Sequence, residues 1–366
     1  MQKQTLFVVS LLLLGGLATV NPAVVRADDG VNIAQNNTQN NQKLKELLRQ
    51  GRELVDSGEF ERALAIYQEA VVLDRENPRI FSGIGYLQAR RENYQAAANA
   101  YRQAVALEPN NADFQYALGF SLAHLGDNEG AQLAYRRAAQ LDPENLNAYI
   151  GLGVVLLREG DYEGALRAYQ QVTTRDARYW QAYESIGAAL LQQGRIEEAM
   201  EALEQAESLA PRKSSVQINL AAAFLAQGKV DEALERFKTA AQLEPRNAQI
   251  HLQIARILRD REQMDEAFQS YQRAVSIDPQ LTEAHEAIAA IHLAEKDFLQ
   301  AIVAYRQLTE LDGDNPDYYY YLAVALQGRD RGAEAIEILT KARSLYEAQG
   351  TSEGVEKVDA LLEELR

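Results

Sequence analysis

A repeat of 34 residues constrains the fold of this chain more than any other feature. From Ala63 onwards, alanine recurs every 34 residues, nine times in succession and without an insertion. Four residues after each alanine stands a tyrosine, a phenylalanine or a leucine. A repeat of this length is typical of architectures in which each unit buries its apolar face against the next one. The chain is therefore expected to form an array of nine similar units.

Within each repeat, the residue types indicate two antiparallel helices. With Leu44 as position 1, the nine repeats occupy residues 44–349. Small residues at positions 8, 20 and 27 let two helices approach closely, and bulky residues at positions 4, 7, 11 and 24 fill the space around them. Glycine follows the first helix of several repeats, where a left-handed residue ends a helix at low cost. These glycines are Gly126, Gly160, Gly194 and Gly228.

Both ends of the second helix are also marked in the sequence. The residue that precedes this helix is often one whose side-chain oxygen can cap it, as at Asn93, Asp127, Asp161 and Asp297. Proline at position 32 of five repeats blocks continuation of the same helix at its other end. The pattern therefore predicts an all-α chain of consecutive helix hairpins.

These features resemble the tetratricopeptide repeat (TPR) family over residues 44–349. The shared pattern is glycine or alanine at position 8, alanine at positions 20 and 27, an aromatic residue at 24 and proline at 32. The resemblance implies a right-handed superhelical solenoid of nine TPR helix-turn-helix repeats, whose first helices line a concave groove. Residues 350–366 have apolar residues at helical spacing and are predicted to form a C-terminal capping helix over the last repeat.

The first 43 residues differ from the repeats. Lys3 precedes an uncharged run over residues 6–20, and Val25-Arg26-Ala27 fits a cleavage site before Asp28. Residues 1–27 are therefore predicted to be a signal peptide, cleaved between Ala27 and Asp28, that exports the protein to the periplasm or the medium. The alternative is an uncleaved segment that tethers the protein to a membrane. Residues 28–43, rich in Asn and Gln, are expected to be a flexible linker.

The composition excludes several classes of function. The chain has no cysteine, which excludes disulfides, thiolate metal sites and cysteine nucleophiles. A net charge of −16 opposes nucleic-acid binding. The repeats leave no room for a separate catalytic domain, and His251, His285 and His292 stand at packing positions rather than in a metal-ligand pattern. We therefore expect no enzymatic activity, no cofactor and no metal.

The resemblance implies that positions 2, 5, 6, 9, 12 and 13 of the first helices face the groove. Several of these positions combine arginine with aromatic or aliphatic residues, which suits an extended, partly acidic peptide. The alternative is that the same side chains only cover neighbouring helices. The predicted peptide- or protein-binding residues are Arg49, Arg52, Arg79, Tyr86, Arg90, Tyr116, Phe120, Ile150, Val154, Tyr320 and Tyr321.

Four consecutive tyrosines begin the ninth repeat. Successive helical side chains point about 100° apart, so Tyr318 to Tyr321 cannot all face one core. Their positions predict that Tyr319 is packed, that Tyr318 lies at the boundary with the preceding repeat, and that Tyr320 and Tyr321 face the groove. The residues between Val172 and Trp180 also depart from the repeat pattern. This departure is interpreted either as a bend in the array or as neutral variation.

The sequence thus favours a non-enzymatic scaffold that binds a peptide or protein in its groove and supports assembly of an envelope complex. The alternative is a substrate-recruiting or regulatory subunit of a separate envelope enzyme, such as a glycosyl transferase or a cell-wall enzyme. Self-association by end-to-end stacking of the array is a further expectation.

Overall fold

The structure is a computed structural model, and it describes residues 38–366. This part of the chain contains nineteen α-helices and no strand. In chain order the helices are α1 Thr38–Asp56, α2 Phe60–Leu73, α3 Pro78–Arg90, α4 Tyr94–Leu107, α5 Ala112–Leu125, α6 Asn128–Leu141, α7 Leu146–Arg158, α8 Tyr162–Arg175, α9 Trp180–Gln192, α10 Ile196–Leu209, α11 Ser214–Ala226, α12 Val230–Leu243, α13 Ala248–Asp260, α14 Met264–Ile277, α15 Thr282–Ala294, α16 Phe298–Leu311, α17 Pro316–Gln327, α18 Gly332–Ala348 and α19 Ser352–Glu364. The predicted all-α fold class is confirmed: each repeat is one pair of consecutive helices, with the odd-numbered helix first.

The N-terminal boundary differs from the prediction. Helix α1 begins at Thr38, before the first repeat position at Leu44. Residues 38–43 were expected to be part of the flexible linker but are helical, because they extend the amphipathic helix α1 in the N-terminal direction. The predicted signal peptide, its boundary between Ala27 and Asp28, and the rest of the linker lie outside the described residues.

The local signals at the helix ends act as the sequence predicts. The four turn glycines have φ between +71° and +80°, in the left-handed region. The four predicted capping side chains accept a hydrogen bond from a backbone N–H in the first turn of the second helix, as Asp161 does from Gly164 at 2.8 Å. Each helix pair is therefore delimited by interactions within a few residues of its ends.

The chain divides into two compact units. Unit 1 is Met1–Pro211 and, within the described residues, holds α1 to α10; unit 2 is Arg212–Arg366 and holds α11 to α19. In both units the alanines at positions 20 and 27 are buried, as at Ala165 and Ala240. These small side chains let the two helices of a repeat pack closely.

The tyrosine at position 24 is the largest element of the unit 1 core. The ring of Tyr135 is 1% exposed and lies between Gly119 of its own repeat and Gly151 of the next. A Cβ atom added at Gly151 would lie 2.4 Å from Cζ of Tyr135. Glycine at this position therefore permits close contact between successive repeats.

The last helix covers the end of unit 2. Val358, Leu361 and Leu362 of α19 are buried in the same apolar cluster as Tyr346 of α18. An ion pair between Arg343 Nε and Asp359 Oδ1 at 2.8 Å joins the two helices. Helix α19 thus removes from water an apolar surface that the ninth repeat would otherwise expose.

The irregular segment before Trp180 has the same turn geometry as its neighbours. The Arg178 N–H donates to Oδ1 of Asp176 at 2.9 Å, as the Glu144 N–H donates to Oδ1 of Asp142 at 3.1 Å one repeat earlier. Val172 is fully buried where seven of the nine repeats have alanine. The change of residues between 172 and 180 therefore keeps the local turn of the preceding repeat.

The tyrosine run requires a correction. Tyr318, predicted at a boundary, is 5% exposed and packed, whereas Tyr319, predicted to be packed, is half-buried and donates its hydroxyl to the Gly313 carbonyl at 3.0 Å. Position 3 is buried in other repeats too, as Ile80 and Phe114 show. Position 4 is buried in several repeats as well, as at His251 and His285, so the packed side of the first helix includes positions 3 and 4, and Tyr319 packs partly against the unit 2 core.

Candidate functional site

The first helices α3, α5 and α7 form the inner side of unit 1. Helix α3 contacts α5, and α5 contacts α7, whereas the second helices of these repeats make no comparable contact with one another. Elements that approach more closely lie on the inside of a curved stack. The side chains on this side that remain accessible constitute the candidate site, which we call the unit 1 face. It consists of Arg52, Tyr86, Arg90, Phe120, His124, Ile150, Val154 and Arg158.

The apolar part of the unit 1 face is only half-buried. Tyr86, Phe120, Ile150 and Val154 each retain a partly exposed side chain. Phe120 and Ile150 pack on one side against the large core cluster of unit 1. Their other side remains available, so these residues both cover the neighbouring helices and present apolar area to a ligand.

In two repeats, the residue at position 13 of the first helix packs on the aromatic residue that begins the preceding second helix. The guanidinium of Arg90 lies 5.5 Å from the ring centroid of Phe60, and the imidazole of His124 stacks on Tyr94 with centroids 4.3 Å apart. Phe120 completes this group, 4.5 Å from His124. Phe60 and Tyr94 are functional candidates that the sequence analysis missed, although both stand at position 17, thirty residues before their partners.

Arg158 connects two first helices. Its Nη1 donates to the Ala123 carbonyl at 2.9 Å, so the side chain of α7 reaches the last turn of α5. A cation at this end stabilises unpaired carbonyls and the helix dipole. Burial, followed by the charge of Arg158, lowers the pKa of His124. The imidazole is therefore neutral at pH 7, and the positive charge of this area comes from arginine.

The three predicted arginines nearest the N-terminus differ in their surroundings, although only Arg52 belongs to the unit 1 face. Arg49 is exposed but pairs within its own helix with Glu46 and Glu53, at 2.5 Å each. Arg52 is half-buried and donates to the Leu48 carbonyl at 3.2 Å. Arg79 is exposed near the start of α3.

Tyr116, by contrast, belongs to the core of unit 1. Its side chain is 9% exposed, and its ring centroid lies 5.8 Å from that of Tyr135. Burial raises the pKa of Tyr116 to about 12. Substitution of this residue would therefore change packing rather than the accessible surface.

The first helices of unit 2 present a different surface. Arg256 of α13 forms a two-pronged ion pair with Glu283 of α15. Tyr318 donates its hydroxyl to the carboxylate of Glu286. Burial, followed by this hydrogen bond, raises the pKa of Tyr318, so it remains a donor at neutral pH. We call Arg256, Glu283, Glu286, Tyr320 and Tyr321 the unit 2 face.

The two predicted tyrosines of unit 2 are accessible. Tyr320 is half-buried and Tyr321 is 40% exposed. The ring of Tyr321 stacks on Tyr305, with centroids 5.7 Å apart, and meets Tyr320 edge-on at 5.3 Å. The pair therefore forms a small aromatic surface, while acids and a neutralised arginine occupy the rest of the unit 2 face.

The histidines at packing positions have structural partners. Nε2 of His251 lies 3.1 Å from the Pro245 carbonyl, and Nε2 of His285 lies at the same distance from the Pro279 carbonyl. A carbonyl only accepts, so Nε2 carries the proton in both rings. Across residues 38–366, no group of three potential ligands could hold a metal ion, and no helix is long and apolar enough to cross a membrane.

Solved structures and characterised sequences resemble this chain in part. A TPR repeat-containing protein of Picosynechococcus sp. is 47% identical over 55 residues, which are 15% of this chain and 14% of that protein. This chain thus spans about one seventh of that relative's length. A tetratricopeptide repeat protein from Parabacteroides merdae has 18% identity and a TM-score of 0.53 over 68% of this chain and 98% of its own, a likeness of fold. YrrB, described as a TPR protein with an unusual peptide-binding site, has 25% identity and a TM-score of 0.45 over 49% of this chain and 95% of its own.

Family models cover most of the sequence. The model of the Cilia and flagella-associated protein 70 C-terminal domain matches residues 12–251, about two thirds of the chain. Two tetratricopeptide repeat models match residues 224–291 and 287–353. Together with the consecutive helix pairs of the structure, these matches show that the chain belongs to the tetratricopeptide repeat family.

Proposed function

We propose that this protein is a non-enzymatic scaffold that binds an extended, acidic segment of another protein on the unit 1 face. The observation that carries the proposal is the combination of half-buried Phe120 and Ile150 with exposed Arg90 and Arg158 on three successive first helices. Apolar side chains that keep one face in water gain from a partner's apolar residues, and flanking guanidiniums select carboxylates.

Charge makes the unit 1 face specific. The groove positions of the first helices in unit 1 carry six basic and three acidic residues, in a chain whose net charge is −16. The basic residues are Lys45, Arg49, Arg52, Arg79, Arg90 and Arg158, and the acidic residues are Asp56, Asp113 and Glu184. Complementary charge of this kind accelerates association and disfavours basic partners. A segment with carboxylates between apolar residues fits best.

The cellular setting is a further part of the proposal. The charge, apolar run and small residues of 1–27 support export, and an exported scaffold of this type would assist assembly of an envelope complex. Fractionation of cells that produce the tagged full-length chain tests the location. Recovery of the whole pool in the cytoplasm would contradict it.

Charge reversal on the unit 1 face tests the binding role. We expect Arg90→Glu/Arg158→Glu to reduce capture of the partner from an envelope extract at least tenfold. The matched control is Arg136→Glu/Arg167→Glu, which makes the same charge change on exposed positions of the second helices α6 and α8. Circular dichroism and thermal melting must show that both variants keep the fold. Equal capture by the two variants would contradict the proposal, and capture of one enzyme in a 1:1 ratio would instead indicate a regulatory subunit.

A further inference from the structure

A second polar site lies in unit 2, away from the first-helix faces. The turn between α12 and α13 and one side of α14 enclose an open hollow of about 580 Å³. Its lining is polar apart from Pro245 and Ile277 and contains two arginines, Arg246 and Arg273. We propose that this hollow binds a phosphoryl group with two negative charges, and we call it the Arg246–Arg273 site.

The first argument comes from the repeat itself. Position 33 of each repeat and the residue 27 positions later in the chain occupy equivalent places at successive junctions. At one junction of unit 1 the two side chains are in contact, since Arg137 donates to Oδ1 of Asn110 at 2.5 Å. Only Arg246 and Arg273 place two like charges there. In chain order the eight pairs are Glu76/Gln103, Asn110/Arg137, Glu144/Gln171, Arg178/Gln205, Arg212/Thr239, Arg246/Arg273, Gln280/Gln307 and Asp314/Lys341.

The second argument is the absence of neutralising partners around the two guanidiniums. Among residues 38–366, neither Arg246 nor Arg273 has a hydrogen bond or ion pair through its side chain. The nearest acid in the α12–α13 turn, Glu244, is engaged elsewhere: its two oxygens accept from Ser214 and from Asn247. In a chain with 53 acidic and 37 basic residues, these two uncompensated arginines give the hollow a local positive charge.

The chemistry of the lining indicates the ligand class. Two guanidiniums present planar, forked donors that match oxyanions, and together they balance two negative charges. A carboxylate would neutralise only one of them, whereas a phosphate ester carries close to two charges at pH 7. The side-chain amides of Gln269 and Gln272 also line the hollow and supply neutral donors for further oxygens. The hydroxyl of Ser276 donates to the Arg273 carbonyl and is not needed.

Calorimetric titration of the purified full-length chain tests this site. The probes are inorganic phosphate, a short phosphoserine peptide and the same peptide with glutamate in place of phosphoserine. We expect binding of phosphate or of the phosphopeptide, and at least tenfold weaker binding of the glutamate peptide. The tighter of the two phosphoryl probes identifies the source as a free anion or a modified protein.

Variants distinguish specific binding at the Arg246–Arg273 site from nonspecific attraction of phosphate to any exposed arginine. Arg246→Gln/Arg273→Gln should weaken phosphoryl binding at least tenfold, and Arg273→Lys should weaken it less because the charge is kept. The matched control, Arg137→Gln, removes the hydrogen-bonded arginine at the equivalent junction and should leave binding unchanged. Lowering the pH from 7.5 to 5 should also weaken binding, because the second pKa of a phosphate ester is about 6. No binding at millimolar probe, or equal binding by the double variant, would overturn the proposal.

Discussion

The unit 1 face and the unit 2 face arise from the same repeat positions, yet their charges are opposite. In unit 1 the groove positions are predominantly basic, and Arg90 and Arg158 rest on an aromatic ring and a helix end rather than on a carboxylate. In unit 2 the same positions carry two basic residues, Arg256 and Arg259, and four acidic ones. The acidic residues are Asp260, Glu283, Glu286 and Asp317.

The two faces also differ in how their helices approach. In unit 1, Gly83 and Gly151 at position 6 let the tyrosine of the preceding repeat enter, and the first helices α3, α5 and α7 contact one another. In unit 2, position 6 holds no glycine and includes Gln253 and Tyr321, and contact between the described first helices is sparse. One repeat thus gives two kinds of surface, because the residues that set the fold leave positions 2, 5, 6, 9 and 13 free to vary.

The largest expected effect is a loss of stability when the close contact between Gly151 and Tyr135 in unit 1 is disturbed. In Gly151→Ala the new methyl group would lie 2.4 Å from Tyr135 Cζ, so ring and helix must separate. Overpacking of this kind should lower the free energy of unfolding by about 2–3 kcal/mol, measured by urea unfolding followed by circular dichroism. The control is Gly332→Ala in unit 2, where the nearest atom is Leu365 Cδ2 at 3.7 Å. Equal losses in both variants would contradict the special role of Gly151.

A smaller effect is expected for the tyrosine run of unit 2. Tyr318→Phe removes the hydroxyl that donates to the Glu286 carboxylate, and a lost hydrogen bond to a charged group costs about 1.5 kcal/mol. Tyr321→Phe, whose ring is 40% exposed, should change the free energy of unfolding by less than about 0.5 kcal/mol. If the two variants lose the same stability, the packed and exposed roles of these residues are wrongly assigned.

Removing the carboxylate of the Arg256–Glu283 ion pair should make the charge of the unit 2 face more like that of the unit 1 face. Glu283→Gln leaves the guanidinium of Arg256 without its carboxylate, and we expect a loss of about 1 kcal/mol for this half-exposed pair. The released cation should also give unit 2 a measurable attraction for acidic peptides, detectable by fluorescence anisotropy of a labelled probe. A double-mutant cycle with Arg256→Gln measures the coupling, and a coupling near zero would show that the pair is screened.

The smallest expected effect is a pH dependence of the stability that arises from His124 in unit 1. The folded-state pKa of His124 lies below its value of about 6.5 in the unfolded chain, so the unfolded state binds a proton first on acidification. Stability should therefore fall as the pH drops from 6.5 towards the lower folded pKa, and it should be unaffected above 6.5. The groups that face the imidazole are Arg158, Glu92 and Tyr94. Thermal melting of wild type and His124→Phe between pH 7.5 and 5 measures this contribution, which the variant should lack.

Much of the fold was predictable because its signals are local or periodic. The capping residues act within one helical turn, and the turn glycines answer a backbone requirement at a single residue. The alanines at positions 20 and 27 repeat often enough to identify the contact surface of every helix pair. The burial of Tyr318 was not predicted, because the pattern of small and large residues does not show that position 3 is buried beside position 4.

The candidate site was predictable only in outline. The sequence indicated that Phe120, Arg90 and Ile150 share one side of the first helices, but it placed Tyr116, which is buried, among them. The partners Phe60 and Tyr94 were missed, because a contact thirty residues apart depends on how a first helix lies against the second helix of the preceding repeat.

By itself, the sequence determined the number of repeats, the helix pairs and their ends, since these depend on spacing and on backbone conformation. Tertiary structure alone decided that Arg158 binds a helix end, that Arg256 is neutralised by Glu283, and that Arg246 and Arg273 remain uncompensated. The physical reason is that charge compensation depends on distances of a few ångströms between different helices. Such distances follow from the packing of whole repeats, which no short segment of the chain encodes.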